Sequence, residues 1–494
     1  MVFKGICRNG FVLSLMILSI LARTGLSQAK NDRPNIVMIV VDDMRFDEFG
    51  AGGHPYLETP NIDRLATEGA MFINAYHVTP LCSPNRASIL TGQYVSRHGI
   101  LDNTSRSHAS HQLALFPIEL QTAGYQTAHV GKWHMGNDPT PRPGYDYWVS
   151  FAGQGKTNDP DLYENGRMHK VKGYITDVFT DRAIDFIKQA DAGKPFFLYI
   201  GHKAIHPEAK QLDDGSVDLK YGRTFIPAER HKGRYDGKVI KRRPNYGISE
   251  EELLTKPVIK KALEFKHSSE ILNRFGKILD IGIAEDTIRQ RAEMMLAVDE
   301  GVGRIIDTLE KMGELDNTMI IFSSENGYYY GEHGLSIERR LPYEETIKNP
   351  LLVRHPKLVK AGSRPEGFAM SIDLAPTVLD IAKVEIPKHV QGRSLVPLLT
   401  GKAQSVRDAA FMEYYSHENP FPWTANLDYR IVRKGQYKYI RWIRFEDEAE
   451  LYDLEADPYE MHNLITDPKM SDIIKDLRQE LKKLIIESLG LADE

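Results

Sequence analysis

Asp42-Asp43, Glu325-Asn326, Lys132, His134, His202, His206 and Cys82 are the residues of this chain whose types and spacing suggest chemistry. Adjacent carboxylates joined by a further carboxylate and an amide offer the oxygen ligands that hard divalent cations such as calcium or magnesium prefer. An aspartate pair behind a strand is, taken alone, more often a helix cap or turn former. The histidines suit proton transfer, although a lone histidine in such a place is more often structural. Cys82 stands out by count: there are two cysteines, and Cys7 lies in the leader described below. An unpaired thiol in an exported protein is either buried and inert or kept for chemistry.

The elements that must position these groups are legible as apolar runs. Pro34 to Val41 is continuous and rich in β-branched residues, the pattern of a strand buried on both faces. Similar runs recur at Thr127 to Val130, Pro195 to Ile200 and Thr318 to Phe322, separated by helical patterns such as Asp177 to Gln189 and Ile288 to Met312. The alternation predicts an α/β fold with a large, mostly parallel central sheet flanked by helices. Ligands of such sheets lie beyond the carboxyl ends of the strands, and each run is followed by polar residues: Asp42 and Asp43, Lys132 and His134, His202 and His206, Glu325 and Asn326. One shared site is expected.

Between Glu208 and about Asp280 the chain turns charged and irregular, with Arg230, Lys232, Arg234, Lys238, Lys241, Arg242 and Arg243. A solvated loop is the default for such a run, and a basic wall for an anionic polymer is the alternative. After Thr400, alternating segments at Tyr429 to Val432 and Tyr437 to Trp442 and a helix at Ser471 to Ser488 predict a smaller antiparallel sheet with a terminal helix. Residues 1–29 carry Lys4 and Arg8, the apolar run Phe11 to Leu21 and a small-residue end, the form of a secretory signal. That run is too short to span a bilayer, so no membrane anchor is expected, and the mature chain is placed in the periplasm or outside the cell. The expected organisation is therefore a 1–29 signal peptide, a 30–400 catalytic domain and a 401–494 subdomain. A net charge of -5 gives no global field for nucleic acid.

Leu81 to Gly92, with Cys82, Pro84, Arg86 and Thr91-Gly92, resembles the C-x-P-x-R signature of type I, formylglycine-dependent sulfatases in the alkaline phosphatase superfamily. Gly131-Lys132-Trp133-His134, His202 to Pro207, Ser324 to Gly327 and the run from Arg339 to Tyr343-Glu344 resemble further motifs of that family in the expected order. The resemblance implies an alkaline phosphatase-like fold and conversion of Cys82 to formylglycine by a formylglycine-generating or sulfatase-maturating enzyme. One hydroxyl of the aldehyde hydrate would attack sulfur and the other would later expel sulfate by collapse to the aldehyde. It further implies one calcium ion held by Asp42, Asp43, Glu325, Asn326 and the modified Cys82, with magnesium as the alternative. Arg86 would steady the nucleophile, His134 contact its hydrate, Lys132 and Arg339 bind sulfate, and His206 protonate the leaving oxygen. Glu325 stands where the family carries aspartate, and Arg339 where it carries lysine, with Arg340 as a neighbour able to take that role.

The pattern is closest to exported sulfatases of sulfated saccharides, and the resemblance implies oligosaccharides from ulvan, carrageenan or glycosaminoglycans as substrates. Trp148, Tyr328, Tyr329 and Trp423 are candidate aromatic platforms for sugar rings. Two rivals are a phosphonate or phosphate ester hydrolase of the same superfamily, which favours two metals, and a non-catalytic binder of sulfated glycans.

Overall fold

The computed structural model describes residues 33–104, 107–210, 212–213, 218, 224–246, 249–260, 284–335, 339–416, 427–445 and 448–491. The signal peptide and Trp423 lie outside the described residues. In chain order the strands are β1 Asn35–Val41, β2 Ala70–Met71, β3 Ala75–Tyr76, β4 Gln126–Gly131, β5 Tyr147–Ser150, β6 Asp161–Glu164, β7 Arg167–Lys170 and β8 Phe196–Gly201. They continue with β9 Thr318–Ser324, β10 Leu352–Arg354, β11 Ala369–Met370, β12 Ala409–Tyr414, β13 Tyr429–Lys434, β14 Tyr437–Trp442 and β15 Ala449–Asp453.

The central sheet has nine strands in the order β2-β10-β9-β1-β8-β4-β5-β6-β7. Its middle five, β9-β1-β8-β4-β5, are mutually parallel, and antiparallel strands extend both flanks. Strand β1 shows why its sequence is apolar at every position. Because side chains alternate across a strand, Val37, Ile39 and Val41 face the helices Ile175–Gln189 and Glu285–Lys311, while Ile36, Met38 and Val40 face Cys82–Thr91 and Leu374–Ile381. All seven residues are buried.

The second sheet, β12-β13-β14-β15, is antiparallel throughout. One face, with Phe411, Val432, Tyr439 and Leu451, packs on Leu477 and Leu481 of the helix Ser471–Ser488. The other, with Met412, Ile431, Ile440 and Tyr452, packs on Tyr329, Leu341, Tyr343 and Ile347 of the larger unit. A polar core crosses this junction: Lys438 pairs with Glu460 and, at 3.2 Å, with Glu344, whose own backbone N–H donates to Glu460 at 2.8 Å. Lys256 donates to the Tyr452 hydroxyl and to the Glu460 carbonyl at 2.6 and 2.7 Å. His333, Glu345 and Glu460 form a second group with cation-ligand chemistry in this junction, but Lys438 meets Glu460, and Arg243 meets Glu345 at 3.5 Å.

Removing a buried ammonium leaves its carboxylates uncompensated, so Lys438→Met should lower the unfolding free energy by roughly 3–5 kcal/mol. Calorimetric melting of the variant beside the parent measures it, and an unchanged melt would mean that the junction does not depend on this pair.

Candidate active site

The strand register brings the polar ends together. Val40 is level with Gly201, Val41 with Ser324, and Gly131 with Gly201, so Asp42, His202, Glu325 and Lys132 leave adjacent strands at one height. Cross-strand bonds fix the exits: Asp42 N–H donates to the Ala204 carbonyl at 2.8 Å, and Lys132 N–H to that of Gly201 at 2.7 Å. Gly131 is required there, since a Cβ on it would come within 2.1 Å of the Gly201 oxygen. Asp43 and His134 hold left-handed backbone, with φ of 57° and 62°, a conformation that non-glycine residues keep where the surroundings enforce it.

Asp42, Asp43, Cys82 and Glu325 each present a ligand atom within 4.8 Å of the others, and all are fully buried. Asn326 joins them by donating Nδ2 to Asp43 Oδ1 at 2.7 Å. Asp42 Oδ1, Glu325 Oε1 and Asn326 Oδ1 accept no hydrogen bond. Buried oxygens without donors, two of them on carboxylates, fit a hard divalent cation. The cations already present are Lys132, paired with Asp42, Arg86, paired with Glu325 and 3.5 Å from Asp42, and Arg339, 3.3 Å from Asp43. Even so, burial and the neighbouring Glu325 push the Asp42 carboxyl up to about 7. Burial raises Glu325 too, but Arg86 holds it below the usual carboxylate range.

Cys82 is the first residue of the helix Cys82–Thr91 and is wholly buried. Arg86 follows one turn later on the same side, where its Nη1 donates to the Lys132 carbonyl at 2.9 Å. Burial, then Glu325, pushes the Cys82 thiol well up, so the encoded side chain is a protonated thiol and not a poised thiolate. His134 is steadied by Gln154 Nε2 at 2.9 Å and Ser83 Oγ at 3.4 Å. His206 accepts its placement from Pro207, whose carbonyl lies 2.7 Å from Nδ1, so the ring presents Nε2 toward Asp43 at 3.8 Å and Arg339 at 3.5 Å. Arg339 thus reaches the cluster, and the carbonyl of its neighbour Arg340 accepts the Tyr429 hydroxyl at 2.7 Å.

Asp42, Asp43, Cys82, Arg86, Lys132, His206, Glu325, Asn326 and Arg339 are brought together; His134 stands beside Ser83, the neighbour of Cys82, and His202 is buried with neither ring nitrogen hydrogen-bonded. Three others belong to it that sequence reasoning passed over. Lys203 lies buried between the two histidines of its segment, donates to the Pro207 carbonyl at 3.3 Å, and is lowered to about 8 by burial and by Lys132. Asn85, at an unspecified position of the C-x-P-x-R segment, donates to the Glu325 carbonyl and accepts from Ser371 at 2.6 Å. Arg291, on the helix Glu285–Lys311, donates to the Asp43 carbonyl at 2.7 Å, to Glu48 at 2.9 and 3.1 Å and to the Tyr330 hydroxyl at 3.0 Å. A charged residue on the buried stripe of that helix, between Ile288 and Met295, was the available signal.

The aromatic platforms fare differently. Trp148 is buried and stacks on His129 at 4.3 Å, and Tyr328 and Tyr329 are core residues, so none of the three offers a face to a sugar. Part of the basic run is structural: Arg230 pairs with Asp177 at 2.7 Å and with Glu300 at 2.6 Å.

Comparison with known proteins agrees with this geometry. The family model described as Sulfatase matches residues 34–384, and one described as N-sulphoglucosamine sulphohydrolase, C-terminal, matches residues 331–487. An N-acetylglucosamine-6-O-sulfatase of Bacteroides thetaiotaomicron is 34% identical, covering 96% of this chain and 90% of the relative. An ulvan-active sulfatase of Formosa agariphila is 27% identical over 98% of this chain and 87% of its own length. Among solved structures, a protein in complex with its substrate D-glucosamine-2-N,6-O-disulfate superposes with a TM-score of 0.76 at 32% identity, covering 93% of this chain and 99% of that one.

Arg291→Met leaves the Glu48 carboxylate buried without its guanidinium and should lower the unfolding free energy by about 3–5 kcal/mol. In a Glu48→Gln background the same substitution should cost clearly less, because contacting partners are not additive. Urea unfolding of the four proteins of this cycle gives the coupling; equal costs in both backgrounds would refute it.

Proposed function

The chain belongs to the sulfatase family and is a sulfatase, and on that premise we propose that it releases sulfate from sulfated saccharides, with 6-O-sulfated glucosamine as the first substrate to test. The observation that carries the reading is the convergence of Cys82 with Asp42, Asp43, Glu325, Lys132, Arg339 and His206 in one buried cluster. Support for the sugar comes from the relatives that carry that specificity at 34% and 32% identity over nearly the whole chain. Ulvan and carrageenan fragments, equally compatible with the residues alone, follow as second choices.

Cys82 would act after two-electron oxidation to formylglycine by a separate formylglycine-generating or sulfatase-maturating enzyme, which supplies an aldehyde hydrate as nucleophile. Asp42, Asp43, Glu325 and Asn326 would hold one calcium, or magnesium, ion, whose charge polarises sulfate oxygens when bound. The remaining work falls to side chains already in place. Lys132 gives a point charge and Arg339 a planar fork to the non-bridging oxygens. Arg86 stands beside residue 82 and favours an anionic nucleophile there. Ser83 and Gln154 hold the His134 ring in register with the same residue. His206 presents Nε2 toward the leaving oxygen, and an arriving anion among Lys132, Arg339 and Lys203 offsets the cations that now disfavour its protonation.

We further propose that residues 1–29 direct export and are removed, leaving 30–400 as the catalytic unit and 401–494 as a subdomain. Among the described residues no helix is long and apolar enough to cross a membrane.

Peptide mass spectrometry across Cys82, coupled to sulfate release from N-acetylglucosamine-6-sulfate and a panel of other sulfated sugars, tests the reading. Aldehyde at residue 82 with release from the 6-sulfate is expected; aldehyde without release from any member would sink it. Cys82→Ala should abolish turnover without changing the circular dichroism spectrum. His206→Ala should slow sugar sulfates by about 10²–10⁴-fold and activated aryl sulfates far less, since only the poor leaving group needs the proton. Equal losses on both would remove His206 as the acid.

A further inference from the structure

A cleft of about 980 Å³ opens between the loop that follows β1 and the tip of the second sheet. None of Cys82, Lys132, His134, His206 or Arg339 lines it. Its basic residues are Lys241, Arg242, Arg243, Lys348 and Arg433, drawn from three distant parts of the chain. Its acids are Asp47, Glu344 and Glu455, and two of these are already matched: Asp47 by Arg45 and Arg243, Glu344 by Lys438. The cleft is therefore left with surplus positive charge.

The surplus is held in place and not merely solvated. Phe46 carries the Lys348 ammonium at 4.9 Å from its ring centre, which fixes that cation at the wall, and the Arg243 guanidinium that answers Asp47 lies 5.0 Å from the same ring. Lys241 makes no hydrogen bond or ion pair among the described residues. Arg433 is only 7% exposed, spends Nη1 on the Gly435 and Tyr437 carbonyls and leaves its buried Nε without an acceptor. With Lys241 unpaired beside Arg242 and Lys348, the wall offers cations to an anionic partner. Tyr459, half-buried at the same wall, adds an aromatic face of the kind on which sugar rings lie.

We propose that this cleft is a second, non-catalytic site that binds a polyanionic glycan chain through its sulfate or carboxylate groups. The assignment rests on the reading of the substrate as a sulfated saccharide and extends it from single sugars to the polymer. Phe46 follows Asp43 by three residues, so the two Cα atoms are at most about 11 Å apart. A chain held in the cleft thus raises the local concentration of its other sulfated units near the site, the advantage that a second weak contact gives. Part of the basic run between Arg230 and Arg243 would accordingly serve as the anionic-polymer wall, while Arg230 itself stays in its structural pairs.

The test uses the full chain with Cys82→Ala to stop turnover, and heparin as the probe. Lys241→Glu with Lys348→Glu should weaken heparin binding about tenfold or more at low ionic strength, a difference that shrinks as salt screens it. In the active protein the same double substitution should leave kcat/KM on N-acetylglucosamine-6-sulfate unchanged and lower it on heparin-derived oligosaccharides. Unchanged heparin affinity overturns the proposal, as does an equal loss on the monosaccharide. Should the parent desulfate no 6-O-sulfated glucosamine while heparin binding still follows the two lysines, the substrate reading fails and the cleft stands.

Discussion

Burying three carboxylates in one place is the constraint on which the rest of this structure depends. Asp42, Asp43 and Glu325 are wholly buried, and their mutual repulsion must be met by cations within a few ångströms. Lys132, Arg86 and Arg339 come from three separate segments to do so, the first placed by strand register, the second by its helix and the third from a loop. The parallel sheet serves this purpose: it aligns the strand exits at one height, and tight approach at Gly131 lets the Lys132 segment run against Gly201. Burial and the neighbouring Glu325 nevertheless leave the Asp42 carboxyl raised to about 7.

The same constraint explains what was legible in the sequence. Strands with both faces buried are largely apolar, so β1, β8 and the Met319 to Phe322 part of β9 are visible as continuous runs, while β4 carries Thr127 and His129, and the polar exits of all four mark the site. Helix Ser471–Ser488 and strand β14 coincide with their expected spans because amphipathic alternation is strong there. Lys203, Asn85 and Arg291 were not visible for a shared reason. Each donates to a backbone carbonyl, that of Pro207, Glu325 or Asp43, and a carbonyl leaves no trace in residue type. The aromatic residues Trp148, Tyr328 and Tyr329 were ambiguous for a related one, since an aromatic side chain serves core and sugar face equally until its burial is known.

Arg291 shows how far support for a site extends. It lies on a 27-residue helix across the sheet from Cys82, yet it holds the Asp43 carbonyl, lies 3.5 Å from that of Ile205 and takes Glu48 as its counter-ion. Asp43 and the segment leading to His206 thus hang on one guanidinium, itself stacked 4.3 Å over Tyr328. The left-handed backbone at Asp43 is kept by such contacts and not by local preference.

The two departures from the family pattern, Glu325 and Arg339, belong to one argument about reach. Glu325 adds a methylene and meets Arg86, while Arg339 exchanges an ammonium on a flexible stem for a planar fork and meets Asp43 and His206. Arg339 also sits where the larger unit meets the second sheet: the next residue's carbonyl is held by Tyr429, and Tyr343 beyond it donates to Glu450 at 3.2 Å. The second sheet therefore helps to set the position of Arg339, the group proposed to bind the sulfate. A change in that sheet has a direct path to the pocket, through the Tyr429 and Glu450 contacts, without touching Cys82 or the carboxylates.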